Sequence, residues 1–128
     1  MFDDKPRLLV IDDDLQVLRA YGRILQRDFT IEGETNGVSA LRRIANEPCF
    51  DVILCDRNLG WGLSGQDVFE SLSLDLRRRT VICSGSTPDD DDAFAAALGE
   101  RFFMKPGHLP SLISLLLDVA RMSPCVAA

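Results

Sequence analysis

The sequence predicts a single α/β domain, in which a parallel β-sheet is covered by helices on both faces. The chain has 128 residues, which is close to the commonest size of one domain. Five short apolar or β-branched runs have the composition of buried strands. Between them, apolar residues recur every three or four positions, which is the spacing of one helix face. Buried strands that alternate with helices are typical of a parallel sheet covered on both sides.

The order of these segments predicts five strands and five helices. The strands are expected at residues 7–11, 29–31, 52–55, 80–83 and 102–104. The residues that mark the apolar helix faces are Leu15, Leu18, Tyr21, Ile24 and Leu25 in the first helix, Val38, Leu41 and Ile44 in the second, Val68, Leu72 and Leu74 in the third, and Leu112, Ile113, Leu116, Leu117, Val119 and Ala120 in the fifth. We expect the domain to cover residues 1–122 and a loose tail to cover residues 123–128.

The fourth predicted helix has a clear start and a weak apolar face. Thr87 is suited to be its N-cap and Pro88 to lie in its first turn. The acidic run 89–92 would then lie at the positive end of the helix dipole, and we expect it to be a solvated face. The apolar side consists of Ala93, Phe94, Ala97 and Leu98. We therefore expect this helix to be lightly anchored.

The composition suits a water-soluble domain and disfavours several classes of function. Hydrophobic residues make up 46% of the chain and charged residues 27%, which is typical of a fold with a hydrophobic core. No apolar run approaches the roughly 20 residues that span a bilayer. The acidic N-terminus lacks a signal segment, so we expect a cytoplasmic protein without a membrane partner. The net charge of −6 disfavours direct binding to nucleic acid.

The cysteines and basic clusters predict structural roles. Cys55 and Cys83 lie inside apolar strands, where a free thiol behaves as a small hydrophobe. The four cysteines of the chain do not have the spacing of a zinc site. A solvated face is the expected role of the basic run at residues 77–79.

Charged and hydroxyl side chains follow four of the five predicted strands. The first strand ends in Asp12, Asp13 and Asp14, and Asp14 is expected to begin the first helix. The third strand ends in Asp56, which is followed by Arg57 and Asn58, the fourth in Ser84, and the fifth in Lys105. In a doubly wound sheet, ligands bind outside the carboxyl ends of the strands. The sequence therefore places its chemically active groups where such a fold binds ligands.

The carboxylates of Asp12, Asp13 and Asp56 would repel one another if they converged. Two unit charges about 4 Å apart cost about 4 kcal/mol at an effective dielectric constant near 20. Protonation, a partner cation or a metal ion would neutralise them. Mg²⁺ suits the group because it prefers oxygen ligands and few protein carboxylates, and Asn58 is placed to offer a backbone carbonyl.

The remaining strand-end residues suit phosphoryl transfer. Catalysis of that reaction consists mostly of positioning and electrostatic stabilisation of the phosphoryl oxygens. A metal ion, the Lys105 ammonium and the Ser84 hydroxyl would each hold one of these oxygens. Asp56 would then be the nucleophile, since a carboxylate is ionised at neutral pH without a base.

The ordered set of these motifs resembles the receiver domains of two-component response regulators, such as the chemotaxis regulators. The matching segments are residues 9–14, 51–56, 81–85 and 102–106, and the resemblance extends from residue 8 to about residue 122. It implies a flavodoxin-like sheet of strand order 2-1-3-4-5. It also implies that residues 1–122 form a receiver, or phosphoacceptor, domain.

The resemblance implies a role for each matching residue. Asp56 is similar to the phosphoacceptor of the family. Asp13, Asp56 and the Asn58 carbonyl are similar to its direct Mg²⁺ ligands, and Asp12 to the residue that acts through water.

Two further positions resemble the switch of the family. Ser84 is similar to the Ser or Thr that moves toward the phosphoryl group, and Phe102 lies at the aromatic position that reports the switch. Lys105 is similar to the lysine partner of the phosphoryl group.

The loop after Asp56 departs from the family pattern. Receiver domains usually have a Met-Pro or Leu-Pro pair and then a glycine, whereas residues 59–65 read Leu-Gly-Trp-Gly-Leu-Ser-Gly. The added glycines predict a more mobile loop beside the acceptor.

The resemblance implies a phosphorelay function. A histidine kinase or phosphotransfer protein would phosphorylate Asp56 with Mg²⁺ bound, and the switch would alter an interaction surface for a downstream protein or output domain. The chain would then be no enzyme beyond its own phosphorylation and autodephosphorylation.

Two other functions remain open. The unusual loop motivates a receiver fold that signals without phosphorylation. An aspartyl-phosphate phosphohydrolase, as in the haloacid dehalogenase superfamily, is disfavoured because Asn58 stands where that family has an acid/base aspartate.

Overall fold

The structure is a computed structural model and describes residues 5–47, 49–105 and 107–122. Its strands are β1 (Arg7–Ile11), β2 (Thr30–Glu34), β3 (Val52–Asp56), β4 (Thr80–Ser84) and β5 (Phe102–Met104). Its helices are α1 (Leu15–Leu25), α2 (Gly37–Asn46), α3 (Gly65–Ser71), α4 (Leu74–Arg78), α5 (Ala93–Leu98) and α6 (Leu109–Met122). A 3₁₀ turn covers Gly99–Arg101. Within the described ranges, no helix is long and apolar enough to cross a membrane. The predicted tail at residues 123–128 lies outside the described residues.

The five strands form one parallel sheet in the order β2-β1-β3-β4-β5. This arrangement confirms the predicted fold class and strand order. β1 and β3 are neighbours in space, with Ile11 opposite Cys55. The residues that follow these two strands, Asp12 and Asp56, therefore lie side by side at the edge where such sheets bind ligands.

The hydrophobic core lies in two clusters on opposite faces of the sheet. Successive strand residues point to opposite faces, so Leu8 and Val10 join one cluster and Leu9 and Ile11 the other. The first cluster includes side chains of α6, and the second includes side chains of α2, α3 and α5. Both faces are thus covered by helices, and the central strands are fixed from both sides.

The second strand is longer than predicted and extends to Glu34 rather than ending at residue 31. Glu32 and Glu34 interrupt the apolar pattern that predicts the strand. They can lie in β2 because it is an edge strand and their carboxylates bind arginines. Arg43 of α2 donates to Glu32 over 2.7 Å and also to Glu34. Hydrogen bonding between charged groups replaces the apolar pattern at this edge.

The third predicted helix is two short helices. α3 ends at Ser71, and Leu72 is extended (φ −84°, ψ 156°) with its side chain buried. Ser73 then accepts a hydrogen bond from the amide of Leu76 and caps α4. The break arises because this serine favours a helix start over a helix interior.

The predicted solvated role of the basic run 77–79 is wrong for two of its residues. Arg79 is 4% exposed and pairs with Asp75. Arg77 donates to the carbonyl oxygens that end α3, those of Phe69, Glu70 and Leu72. Arginine is suited to this position because its planar fork presents several donors at once.

The fourth predicted helix, α5, begins at Ala93 rather than in the predicted first turn around Pro88. Its N-cap is Asp92, which accepts a hydrogen bond from the amide of Ala95, so the predicted cap at Thr87 is wrong. Asp92 is also held by Arg57 from the end of β3. This long-range pair favours the later start over the local Thr-Pro signal.

Candidate functional site

The acidic cluster at the carboxyl edge of the sheet consists of Asp12, Asp13 and Asp56. One oxygen of each carboxylate lies within 4.8 Å of the others. Asp12 and Asp13 directly follow β1, and Asp56 is the last residue of the neighbouring strand β3. The parallel register therefore brings the three predicted carboxylates together.

Lys105 joins two of these carboxylates. Its ammonium donates to Asp56 over 2.8 Å and to Asp12 over 3.1 Å. Its backbone amide donates to the carbonyl oxygen of Ser84 over 2.7 Å, which fixes the chain just beyond β5. Burial favours a lower pKa of Lys105, but its hydrogen bonds to Asp56 and Asp12 outweigh burial, so that the pKa is raised. The lysine is therefore charged throughout the physiological range of pH.

The carboxylates of Asp56 and Asp12 are oriented by backbone amides as well as by Lys105. Asp56 accepts from the amide of Asn58 over 3.1 Å, and its side chain is 13% exposed. Asp12 accepts from the amide of Asp14 over 2.9 Å, and burial raises the pKa of this almost fully enclosed carboxyl. Asp14 itself caps α1 by accepting from the amide of Gln16, as predicted.

Asp13 differs from its two neighbours because it is exposed and lacks a hydrogen-bond partner within the described part of the chain. Gly60 lies close by, since a Cβ atom there would stand 3.0 Å from the Asp13 carboxylate. Three carboxylates face one ammonium group, so the cluster stays net negative when all three are ionised. This donor set suits a hard divalent cation with oxygen ligands.

Ser84 and Phe102 lie beside the acidic cluster but do not contact it. The buried Ser84 hydroxyl accepts from the amide of Ser86 and donates to its carbonyl oxygen, each over 3.1 Å. The half-buried ring of Phe102 packs at the edge of the second core cluster. The structure thus brings Asp12, Asp13, Asp56 and Lys105 together, joins Asn58 to Asp56 through its backbone amide, and leaves the side chains of Ser84 and Phe102 outside the cluster.

The loop after Asp56 turns sharply and then returns against the backbone of Asp56. Gly60 and Gly62 have positive φ angles of 75° and 86°, and Trp61 between them is 93% exposed. The amide of Gly65 donates to the carbonyl oxygen of Arg57 over 2.8 Å. A Cβ atom at Gly65 would stand 2.3 Å from the carbonyl oxygen of Asp56, so the backbone approach requires glycine.

Arg57 is the functional candidate that the sequence does not reveal. Its guanidinium makes a two-pronged ion pair with Asp92, with contacts of 2.5 and 3.1 Å. The two residues are 35 positions apart. The sequence offers a basic residue beside Asp56 and an acidic run before a helix as signals, but neither indicates which aspartate is the partner.

Cys55 and Cys83 are free, buried thiols, as predicted. Burial raises the pKa of both thiols, that of Cys83 to about 12. Neither is therefore a nucleophile at neutral pH, because only the thiolate is reactive.

Comparison with known proteins identifies one family. The model of the response regulator receiver domain matches residues 8–117 of this chain. No curated protein matches the sequence.

Solved structures show the same fold at low sequence identity. A CheY-like response regulator receiver domain protein from Methanospirillum hungatei JF-1 has a TM-score of 0.79 and 22% identity, over 93% of this chain and 96% of that chain. The receiver domain of the Francisella response regulator 1452 has a TM-score of 0.78 and 20% identity, over 92% and 98% of the two chains. The Vibrio cholerae chemotaxis protein CheY4 has a TM-score of 0.76 and 20% identity, over 90% and 98%.

Proposed function

Because the chain belongs to the response regulator receiver domain family, we propose that Asp56 accepts a phosphoryl group in a Mg²⁺-dependent phosphorelay. The observation that carries this proposal is the convergence of Asp12, Asp13, Asp56 and Lys105 at one edge of the sheet. An aspartate carboxylate that accepts a hydrogen bond from a lysine and lies beside two further acids supplies both the nucleophile and the charge environment that phosphoryl transfer needs.

The reaction uses the Asp56 carboxylate as the nucleophile. One of its oxygens attacks the phosphorus atom, and the bond between phosphorus and the donor group breaks, with the electron pair leaving on the donor. Lys105 already donates to Asp56 over 2.8 Å, so its ammonium lies where the charge of the transferred group develops. Ser84 would reach the phosphoryl group by exchanging its hydrogen bonds to Ser86 for one to a phosphoryl oxygen.

Mg²⁺ would be held by Asp13, Asp56 and the Asn58 carbonyl, with Asp12 acting through water. The ion would neutralise charge on the phosphoryl oxygens. The Asp13 carboxylate has no hydrogen-bond partner among the described residues and lies within 4.8 Å of its two neighbours, which supports this donor set. Lys105 alone cannot balance three acids, which is the physical reason for a second cation.

The expected partners follow from this chemistry. A histidine kinase or phosphotransfer protein would supply the phosphoryl group, and a downstream protein or output domain would respond to the phosphorylated surface. We propose no enzymatic turnover of an external substrate. Asn58 stands two residues after the nucleophile, and an amide cannot carry the proton that a phosphohydrolase must give to its leaving group.

The experiment that tests this function is intact mass spectrometry after incubation with acetyl phosphate and Mg²⁺. We expect one phosphoryl addition in the parent protein, and none in Asp56→Asn or when Mg²⁺ is removed by a chelator. The same addition in Asp56→Asn would contradict the assignment of the acceptor. If the parent instead stayed unmodified both with acetyl phosphate and with phosphohistidine donors, that result would favour a receiver fold that signals without phosphorylation over the proposed function.

A further inference from the structure

The ion pair between Arg57 and Asp92 connects the residue after the acceptor with the first turn of α5. Both terminal guanidinium nitrogens are used, at 2.5 and 3.1 Å from the two carboxylate oxygens. The Arg57 and Asp92 side chains are 28% and 13% exposed. A two-pronged pair between arginine and a carboxylate is directional as well as attractive. It therefore fixes where α5 begins relative to β3.

The backbone of Arg57 is fixed, so that its side chain extends from a rigid point. The Arg57 amide donates to the carbonyl oxygen of Cys83 over 2.8 Å, which continues the pairing of β3 with β4. The Arg57 carbonyl accepts from the amide of Gly65 over 2.8 Å. Movement of the guanidinium therefore requires only side-chain rotation and leaves the acceptor strand in place.

The Asp92 carboxylate both pairs with Arg57 and caps α5. Besides holding Arg57, it accepts from the amide of Ala95 over 3.0 Å and caps α5. The hydrogen bond from Arg57, and then that from Ala95, lowers the pKa of Asp92, so the carboxylate is ionised at neutral pH. Release of Arg57 would therefore act directly on the first turn of α5.

The Arg57 guanidinium also lies near two aromatic rings, one in α5 and one in β5. The guanidinium carbon lies 5.4 Å from the ring centroid of Phe94 and 5.5 Å from that of Phe102. Phe94 belongs to α5 and Phe102 to β5. Arg57 thus contacts the short helix, its N-cap and the edge strand at once.

A polar cleft gives the guanidinium room to move. The cleft has a volume of about 380 Å³, and its lining includes Arg57, Asn58 and Ser84 as well as Asp89 and Asp92. Arg57 and Asn58 directly follow β3, which ends in Asp56, and Ser84 ends β4. The same opening therefore leads from Asp92 toward the phosphorylation site.

We infer that Arg57 is a positioning residue that couples phosphorylation of Asp56 to α5. It holds Asp92 in the unmodified protein and turns toward the phosphoryl oxygens once they are present. This inference rests on the proposed function of Asp56.

The direction of this coupling follows from charge. A phosphoryl group adds about −1.5 to −2 charges at neutral pH, directly next to Arg57 in the chain. The new charge attracts the guanidinium and repels the Asp92 carboxylate, so both effects weaken the ion pair. The six-residue helix α5 then loses the contact that fixes its start.

Removing the charge of Arg57 and removing the charge of Asp92 should have opposite effects on the binding of a phosphoryl analogue at Asp56. Arg57→Gln removes the group that the phosphoryl oxygens attract, so binding of a phosphoryl analogue weakens. Asp92→Asn frees Arg57 and removes a repelling charge, so binding of the same analogue strengthens. Asparagine caps helices as well as aspartate does, so this variant retains the cap and loses only the charge.

The first measurement is the affinity of beryllium fluoride, a tetrahedral analogue of a phosphoryl group on a carboxylate, by ¹⁹F NMR with Mg²⁺ in excess. We expect the dissociation constant to rise about fivefold or more in Arg57→Gln, which is the lower end of ordinary coupling between sites. We expect it to fall in Asp92→Asn. Arg57→Lys retains the charge and should lie between Arg57→Gln and the parent.

The second measurement is hydrogen exchange of α5 in the protein without phosphate or beryllium fluoride. Exchange across residues 93–98 should be about two- to fivefold faster in both Arg57→Gln and Asp92→Asn, as expected for a partly exposed ion pair. The double variant should exchange no faster than either single variant, because the two changes remove one interaction. This result does not depend on phosphorylation chemistry.

Arg43→Gln is the matched control. Arg43 is likewise a partly exposed arginine held by ion pairs, here to Glu32, Glu34 and Glu47, and its side chain is 31% exposed, but it lies at the other edge of the sheet. Its loss should leave both the beryllium fluoride affinity and the exchange of α5 unchanged.

The outcomes separate this inference from the proposed function. Effects of the same sign in Arg57→Gln and Asp92→Asn, or no effect of either on affinity, would overturn the role of Arg57 while leaving Asp56 as the acceptor. Absence of beryllium fluoride binding in the parent, Arg57→Gln and Asp92→Asn alike would contradict the proposed function and the coupling that rests on it. Faster α5 exchange would then still establish the ion pair as a structural anchor.

Discussion

The carboxyl edge of the sheet combines a rigid half and a lightly held half. In the rigid half, Leu8, Leu9, Val10 and Ile11 of β1 are at most 1% exposed, and β1 has a paired strand on each side. In the other half, the three residues of β5 are only partly buried and pair with β4 alone. The three carboxylates therefore lie at the ends of the most firmly packed strands, whereas Lys105 follows the lightly held β5.

The helices show the same contrast. α6 has 14 residues and buries four of them, whereas α5 has six residues and buries only Ala95 and Leu98. α5 ends at Gly99 with a positive φ of 57° and begins at the ion pair with Arg57. Local elements with few buried apolar contacts open most readily. The difference indicates that Asp56 lies on a firmly packed strand, whereas α5 is the more easily displaced element.

The largest expected effect comes from removing matched leucines from the two halves. Leu54→Ala, at a fully buried site of β3, should lower the free energy of unfolding by about 3–5 kcal/mol, because the surrounding strands cannot collapse onto the cavity. Leu98→Ala, 5% exposed in α5, should cost about 2 kcal/mol, since the short helix can relax. Urea unfolding measures both.

Equal losses of the free energy of unfolding in Leu54→Ala and Leu98→Ala would contradict this contrast, because they would show that α5 is held as firmly as β3. A slope of the urea transition that stays constant in both variants would show that each value reports the same global unfolding.

A smaller effect is expected where the loop meets the acceptor. Gly65→Ala would put its Cβ 2.3 Å from the carbonyl oxygen of Asp56, and such overpacking should cost about 1–3 kcal/mol. The displaced acceptor should also react more slowly with acetyl phosphate, because small errors of position slow phosphoryl transfer strongly. Thermal unfolding and the rate of phosphorylation by intact mass measure the two effects.

Gly22→Ala is the control for Gly65→Ala. Gly22 lies within α1, and a Cβ atom there would meet nothing within 4 Å. Alanine should therefore raise the free energy of unfolding by about 0.5–1 kcal/mol through its helix preference and leave phosphorylation unchanged. An unaffected rate in Gly65→Ala would show that the acceptor tolerates movement of this loop.

The sequence alone predicts the central part of the fold because that part follows local patterns. Buried parallel strands are apolar along most of their length, as β1 is at residues 8–11 and β4 at residues 81–83. The strand-end residues Asp12, Asp13, Asp56 and Lys105 could be placed together for the same reason, since parallel strands end at one edge. Their assigned roles come from the family resemblance and stay predictions.

The parts that the sequence does not predict depend on ion pairs between distant residues. The sequence predicts too short a β2 because Glu32 and Glu34 are polar, and only the fold shows that Arg43 forms ion pairs with them. The sequence predicts too early a start for α5 because Thr87 and Pro88 satisfy local rules of helix capping, whereas the observed cap Asp92 is held by Arg57, which follows β3. Propensity is local, and tertiary contacts override it.

The measurement that tests the central claim most directly is hydrogen exchange of the parent protein before and after phosphorylation with acetyl phosphate and Mg²⁺. Asp56→Asn under the same conditions is the blank. We predict that exchange changes across residues 93–104, which contain α5 and β5, and stays the same in β1 and α2. A change spread equally over both halves, or one confined to α2, would contradict the division of the molecule into a rigid acceptor half and a responsive α5 half.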